Sequence, residues 1–312
     1  MGLSEKRISI TGENGFVGRH LVNALKELNS EVILPKDLNG NRLDIRNKDL
    51  IRGKIDQLGD IDMIYHLAAK TSVNSSYENP HATYETNVLG TLNILETCRR
   101  NDIDKIIYAS SYVYGQPQYL PVDEKHCTDP TNPYSRSKLI GEELCKSYHD
   151  DFGIKCVILR PFNVYGPGQR SDFLIPKVIS SLSSGKVVLR DSEPKRDFVY
   201  ITDMIDAYIK AGEYQGDFDI FNIGCGQSYS VKEIINIIIR IYESKYGSNF
   251  GSEHGSKHGS EHGSKIRVVY KGERRRNEIM DCYANIEKAK GILGWRPFTA
   301  IDEGLGQLLD NL

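Results

Sequence analysis

The sequence has little cysteine and no C-x-x-C pair: six thiols, at 98, 127, 145, 156, 225 and 282, are scattered along 312 residues. That scatter excludes a disulfide frame and a structural zinc site, and the thiols read as reduced groups of a cytoplasmic protein. No apolar run approaches the ~18 residues that cross a bilayer. The opening Met1-Gly2-Leu3-Ser4-Glu5-Lys6-Arg7 has no signal-peptide core, and Lys6 stands where a myristoylation motif asks for Ser or Thr. A cytoplasmic chain without a membrane partner is expected. Net charge is lacking too. Forty basic residues against 42 acidic ones leave −2, which gives no bulk attraction for nucleic acid. What is present is ordinary globular composition, 39% hydrophobic and 26% charged, at a length that suits one large domain or two joined lobes.

Apolar runs and helical stretches alternate through the first half. Strands are expected over Arg7–Thr11, Glu31–Leu34, Asp62–Leu67, Lys105–Ala109 and Lys155–Leu159. Helices are expected over Arg19–Asn29, Thr83–Arg100 and Pro133–Phe152. Leu21, Val22, Leu25 and Leu28 form the buried stripe of the first helix. Alternation of this kind predicts an α/β fold, a doubly wound parallel sheet with helices on both faces. Ligands bind such sheets beyond the carboxyl ends of the strands. After Arg160 the pattern loosens through Pro161, Gly166, Pro167, Gly168 and Pro176, which marks a smaller C-terminal α/β lobe. Residues 1–160 are expected as the dinucleotide-binding domain, with a segment near 197–224 returning to it. Residues 161–196 and 225–312 are expected as the substrate-binding lobe. Within the lobe, 247–264 is a Gly-Ser repeat too polar to bury anything, expected as a mobile surface loop. His254, His258 and His262 recur every fourth residue there, but glycine and serine at half the positions oppose a metal-binding helix, and no metal site is expected.

Gly12, Gly15 and Gly18 stand between a strand and a helix. In that context the first permits a tight turn, the second lets a pyrophosphate approach the backbone, and the third permits close helix packing. Lys36 occupies the place at the end of the second strand where an acid selects NAD and a base accommodates the 2′-phosphate of NADP, with Asp37 one step beyond. Asp44 is placed to reach the adenine edge, with Ile45 beside it. Tyr134 and Lys138, four apart on one predicted helix, share a face. An ammonium there would stabilise a phenolate and make Tyr134 a usable acid–base group. Ser110 and Ser111, at the end of a predicted strand, add a hydroxyl for the same relay. The pair alone is weak, since about one Tyr-x-x-x-Lys arises by chance among 18 tyrosines.

These motifs sit in a longer series. Thr11-Gly12-Glu13-Asn14-Gly15-Phe16-Val17-Gly18 is followed by His66-Leu67-Ala68-Ala69-Lys70, Thr86-Asn87-Val88-Leu89-Gly90-Thr91 and Ser110-Ser111-Tyr112-Val113-Tyr114-Gly115. Then come Asn132-Pro133-Tyr134-Ser135-Arg136-Ser137-Lys138, Arg160-Pro161-Phe162-Asn163-Val164-Tyr165-Gly166-Pro167-Gly168, Arg196-Asp197-Phe198-Val199-Tyr200 and Gly294-Trp295-Arg296-Pro297. In that order they resemble the extended short-chain dehydrogenases/reductases that act on nucleotide sugars, over nearly the whole chain apart from the repeat.

The resemblance implies roles. Tyr134 would be the acid–base residue, Lys138 its activator and ribose ligand, and Ser110, four residues before Tyr114, the catalytic hydroxyl. Gly12, Asn14, Gly15, Phe16, Val17, Gly18, Lys36, Asp44, Ile45, Leu67, Ala68, Ala69, Lys70, Asn87, Pro161 and Phe162 would hold the cofactor, NAD or alternatively NADP. Ser111, Tyr112, Asn163, Arg196, Tyr200, Arg275 and Glu278 would meet a nucleoside-diphosphate sugar. Arg274 and Arg276 compete with Arg275 for the diphosphate. A homodimer through the helices near Thr83–Arg100 and Pro133–Phe152 is implied as well. The 4,6-dehydratases of the family carry Asp-Glu where this chain has Ser111-Tyr112, so dehydration is disfavoured. The leading expectation is C4 epimerisation of a nucleotide hexose through a 4-keto sugar. The alternative is NADPH-dependent reduction of a 4-keto-6-deoxy nucleotide sugar, and a cofactor-binding regulatory protein without catalysis stands behind both.

Overall fold

The structure is a computed structural model that describes residues 2–34, 43–49, 51, 59–247, 266–274 and 277–310. Lys36, Arg275, Arg276 and the repeat from 248 to 264 lie outside the described residues. In chain order the described strands are β1 (Arg7–Thr11), β2 (Glu31–Ile33), β3 (Met63–His66), β4 (Lys105–Ala109), β5 (Lys155–Pro161), β6 (Asn163–Tyr165), β7 (Lys186–Leu189), β8 (Lys195–Tyr200), β9 (Phe218–Ile223), β10 (Ser228–Ser230) and β11 (Arg267–Tyr270).

Six of them form one parallel sheet in the order β2-β1-β3-β4-β5-β9. Residues Lys105 to Tyr108 and Cys156 to Arg160 are buried throughout, as strands covered on both faces require. Helices Phe16–Glu27 and Ile201–Glu213 pack Leu21, Leu25, Met204 and Ala207 into the core on one face. Helices Gly90–Arg100 and Pro133–Phe152 bring Ile94, Leu95, Cys98 and Cys145 to Ile106 and Ile158 on the other. Each such aliphatic side chain contributes roughly 1.5–3 kcal/mol on full burial. Strand order reverses between β1 and β3, where Thr11 pairs with His66. That switch opens a crevice beyond the strand ends.

Helix Pro133–Phe152 is bounded by local signals. The Asn132 side chain accepts from Ser135 N, proline holds the first position, and Gly153 ends the helix with φ 73°. The stretch expected as one helix over Thr83–Arg100 is instead Pro80–Tyr84, a π-helical turn Glu85–Leu89, and Gly90–Arg100. The π turn falls where Asn87 leaves the helix to bond the Lys70 backbone, so the wider turn serves a side-chain contact.

The second lobe builds on two small sheets, β10-β8-β6 and β11-β7. The segment expected to return near 197–224 enters the main sheet as β9, while its first strand, β8, stays in the lobe between β6 and β10. The buried Asp197 carboxylate accepts from the amides of Cys225, Gly226 and Ala284 and ties the lobe's loops to β8. Helix Val231–Tyr246 begins with a capping box made by Ser230 and Glu233. Among the described residues no helix is long and apolar enough to cross a membrane, and no group of three or more His, Cys, Asp or Glu side chains could hold a metal ion.

Candidate active site

The glycine turn after β1 packs without room for side chains. A Cβ on Gly12, whose φ is 79°, would stand 2.6 Å from Ala68 N, and one on Gly18 would stand 2.1 Å from Gly12 O. Gly15 is exposed, so the backbone there is open to a ligand. Among the described residues no side chain caps helix Phe16–Glu27, and its first turn holds no acid. Its amides are thus left for an anion. A cradle a Cβ would fill, beside an uncapped helix start, fits a dinucleotide pyrophosphate.

Behind the cradle runs a buried hydrogen-bond chain. Ala68 N donates to Thr11 Oγ1 at 3.3 Å and Thr91 Oγ1 donates to Asn87 O at 2.6 Å. His66 lies between them, with Nδ1 2.7 Å from Thr11 Oγ1 and Nε2 3.0 Å from Thr91 Oγ1. The donors balance only if Thr11 donates to Nδ1 and Nε2–H donates to Thr91. Burial pulls His66 down to about 3, so it stays neutral. Asn87 continues the scaffold by bonding the Lys70 N and O and Ser137 Oγ.

One cleft of about 1140 Å³ receives the glycine turn, the strand ends and the second lobe. It exceeds the roughly 300–1,000 Å³ of a pocket for one small ligand, so a cofactor and a substrate can share it. Gly12, Gly15, Phe16, Val17, Gly18, Asp44, Ile45, Leu67, Ala68, Ala69, Pro161 and Phe162 line it. Three residues expected at the cofactor do not. Asn14 is exposed and turns its amide to Glu13. Asn87 is buried behind the wall. Lys70 is exposed, and its charge acts on Asp44. Asp44 is also gripped by Arg46 at 2.5 Å, and this hydrogen bonding holds its carboxyl below the usual range.

Ser110, Ser111, Tyr134 and Lys138 share that cleft. Both serines follow directly on β4, which ends at Ala109. Ser110 donates to the buried Glu142 carboxylate. Burial pushes the Tyr134 phenol up, and the Ser111 hydroxyl acts in the other direction. Lys138 Nζ donates to Ala109 O at 2.7 Å and stands 5.0 Å from the centre of the Tyr108 ring. Burial brings Lys138 down to about 8, with Cys145 and Glu142 acting in the other direction.

On the lobe side, Tyr112, Asn163, Arg196 and Glu278 line the cleft. Asn163 Nδ2 donates to Asp197 O at 3.1 Å. Arg196 pairs with Glu278 at 2.5 Å and donates to Ile279 O. Tyr200 does not reach the cleft: it is 3% exposed and packs on Tyr165 beneath Gly304, because helix Ile301–Leu309 covers that end of β8. Arg274 turns to Asp191 at 3.0 Å. Sequence reasoning missed the lining residues Arg170, Phe173, Lys177 and Cys282. Burial pushes the Cys282 thiol up to about 12, so it is a neutral wall.

Comparison with known proteins agrees with this architecture. The sequence profile described as "NAD dependent epimerase/dehydratase family" matches residues 8–224. A putative UDP-glucose 4-epimerase of Methanocaldococcus jannaschii is 37% identical, covering 97% of this chain and 97% of its own. The solved structure of UDP-glucose 4-epimerase from Thermotoga maritima, with UDP-glucose, superposes with a TM-score of 0.85 at 26% identity over 97% of each chain. The structure of RMD from Pseudomonas aeruginosa, complexed with NADPH, does so with 0.84 at 27% identity over 98% of each chain.

Proposed function

Since the chain belongs to the NAD-dependent epimerase/dehydratase family, we propose that it inverts C4 of a nucleoside-diphosphate hexose by transient oxidation to the 4-keto sugar. The observation that carries this reading is the meeting of Ser111, Tyr134 and Lys138 in the cleft that also holds the glycine cradle and Arg196. Similarity to the M. jannaschii and T. maritima proteins supports the reaction. So does the pair Ser111-Tyr112, which supplies no carboxylates for dehydration.

The bound dinucleotide, NAD or NADP, supplies hydride acceptance from C4 and its return. Gly12, Gly15 and the start of helix Phe16–Glu27 would hold its pyrophosphate, Asp44 and Ile45 its adenosine end, and Lys138 its ribose. The Tyr134 Oη takes the proton of the C4 hydroxyl and later gives it back. Ser111 orients that hydroxyl, and the Lys138 ammonium favours the phenolate. Arg196 and Asn163 face the diphosphate from the lobe. Incubation with UDP-glucose or UDP-galactose and no added reductant should interconvert the two. Inertness towards every UDP-hexose tried would sink the reading.

The NADPH held by the P. aeruginosa neighbour favours one second reading, reduction of a 4-keto-6-deoxy nucleotide sugar. Releasing and identifying the copurifying nucleotide separates the two: tightly held NAD supports the epimerase, whereas an empty protein that prefers NADPH supports the reductase.

Two further outcomes follow. Gly18→Ala must displace Gly12 O, and overpacking of this kind costs about 1–3 kcal/mol; NADH titration should show affinity lowered about tenfold or more. Lys138 carries its ammonium below pH 8 and loses it above. The kcat/KM should therefore fall as pH rises through about 8, and a profile flat well above that point would remove Lys138 from the relay. A homodimer through the π turn Glu85–Leu89 and helices Gly90–Arg100 and Pro133–Phe152, where Leu89 and Phe152 are exposed, is testable by light scattering.

A further inference from the structure

Behind the reacting groups lies a buried ion pair, Glu142–Arg160, that none of the roles above uses. Glu142 follows Tyr134 and Lys138 at spacings of eight and four on helix Pro133–Phe152, so the three share one face. Its side chain is 3% exposed and that of its partner Arg160 5%. Arg160 grips it with two bonds, Nε to Oε1 at 2.9 Å and Nη2 to Oε2 at 2.5 Å. Ser110 donates to the same Oε1.

From Arg160 the chain continues into the lobe. Arg160 Nη1 donates to Tyr114 Oη at 2.8 Å, Tyr114 Oη to Asn222 Oδ1 at 2.6 Å, and Asn222 Nδ2 to Val122 O at 3.0 Å. Val122 N donates to Tyr283 O, and Asn285 N to Val122 O. Tyr283 adjoins Cys282, which lines the cleft. An unbroken polar path thus joins the end of β4 to the lobe's wall of the cleft.

A buried ion pair gains little stability over apolar side chains of the same shape, because both charges leave water. A two-bond guanidinium–carboxylate contact does fix orientation. Resting on the functional reading above, we propose that Ser110, Glu142 and Arg160 are positioning residues: they anchor the strand end so that Ser111 meets Tyr134, and they set the Cys282 wall in the same frame.

Ser110→Ala tests this, since it removes one hydroxyl and leaves the ion pair in place. The expected result is a kcat lowered roughly 10- to 100-fold, the scale of a small misplacement of reacting groups. KM, dinucleotide affinity and the thermal unfolding midpoint should stay near the parent's. A parent-like kcat, or a change in KM alone, overturns the proposal. If the parent turns over no nucleotide sugar, the functional reading has failed instead. Crystals of cofactor-bound Ser110→Ala then decide: a lost Ser111–Tyr134 contact supports positioning, and a retained one refutes it.

Discussion

Tyr134→Phe is expected to lower kcat by about 10²–10⁴-fold, the usual contribution of a positioned acid–base group, with the fold and dinucleotide affinity intact. Phenylalanine keeps the ring and loses only the phenolic oxygen. Burial holds this phenol protonated above the ordinary tyrosine range, and the Ser111 hydroxyl acts in the opposite direction. Lys138 Nζ donates a hydrogen bond to Ala109 O, and the positive charges of its ammonium and of an oxidised nicotinamide would favour the phenolate against that burial. A single-turnover experiment with substrate and the oxidised cofactor reads the step directly through nicotinamide absorbance at saturating substrate. Undiminished turnover in Tyr134→Phe would reassign the acid–base role.

What the sequence disclosed is what local chemistry decides. The glycine turn, the Asn132-Pro133 start and Gly153 end of the long helix, and the spacing of Tyr134 and Lys138 all act over a few residues, and they stand in the structure where the pattern puts them. What it hid depends on how separate segments meet. Counting from Tyr114 selects Ser110, but its bond to Glu142, itself paired with Arg160, joins a strand end, a helix and β5 that lie far apart in sequence. Tyr200 follows Arg196 and Phe198 on one face of β8, but the helix Ile301–Leu309, a hundred residues later, covers it. Arg170 and Phe173 line the cleft from a Pro- and Gly-rich stretch with no periodicity to read, and Lys177 from the short helix Leu174–Ser181 that follows it. Glu142 did leave a trace: a carboxylate on the same helical face as Tyr134 and Lys138 is out of place on a buried stripe unless it is paired.

Glu142→Leu is expected to destabilise the protein by about 3–5 kcal/mol, because Arg160 is left buried with an uncompensated charge. With roughly 2–4 °C per kcal/mol in a chain of this class, the unfolding midpoint should drop by about 10 °C. Arg160→Met alone should cost a similar amount, since the Glu142 carboxylate is as deeply buried as its partner. Combining the two removes both charges, and most of the stability should return. A double-mutant cycle measured by thermal and denaturant unfolding quantifies that recovery. Activity need not follow. The apolar pair offers Ser110 no acceptor and Tyr114 no donor, so the double variant should regain its midpoint while kcat stays low. Recovery of both together would make the pair a packing feature and leave Ser111 held by the backbone alone. Recovery of stability without rate assigns the desolvation cost of two buried charges to the one thing an apolar core does not provide, a fixed direction for the hydroxyl that meets Tyr134.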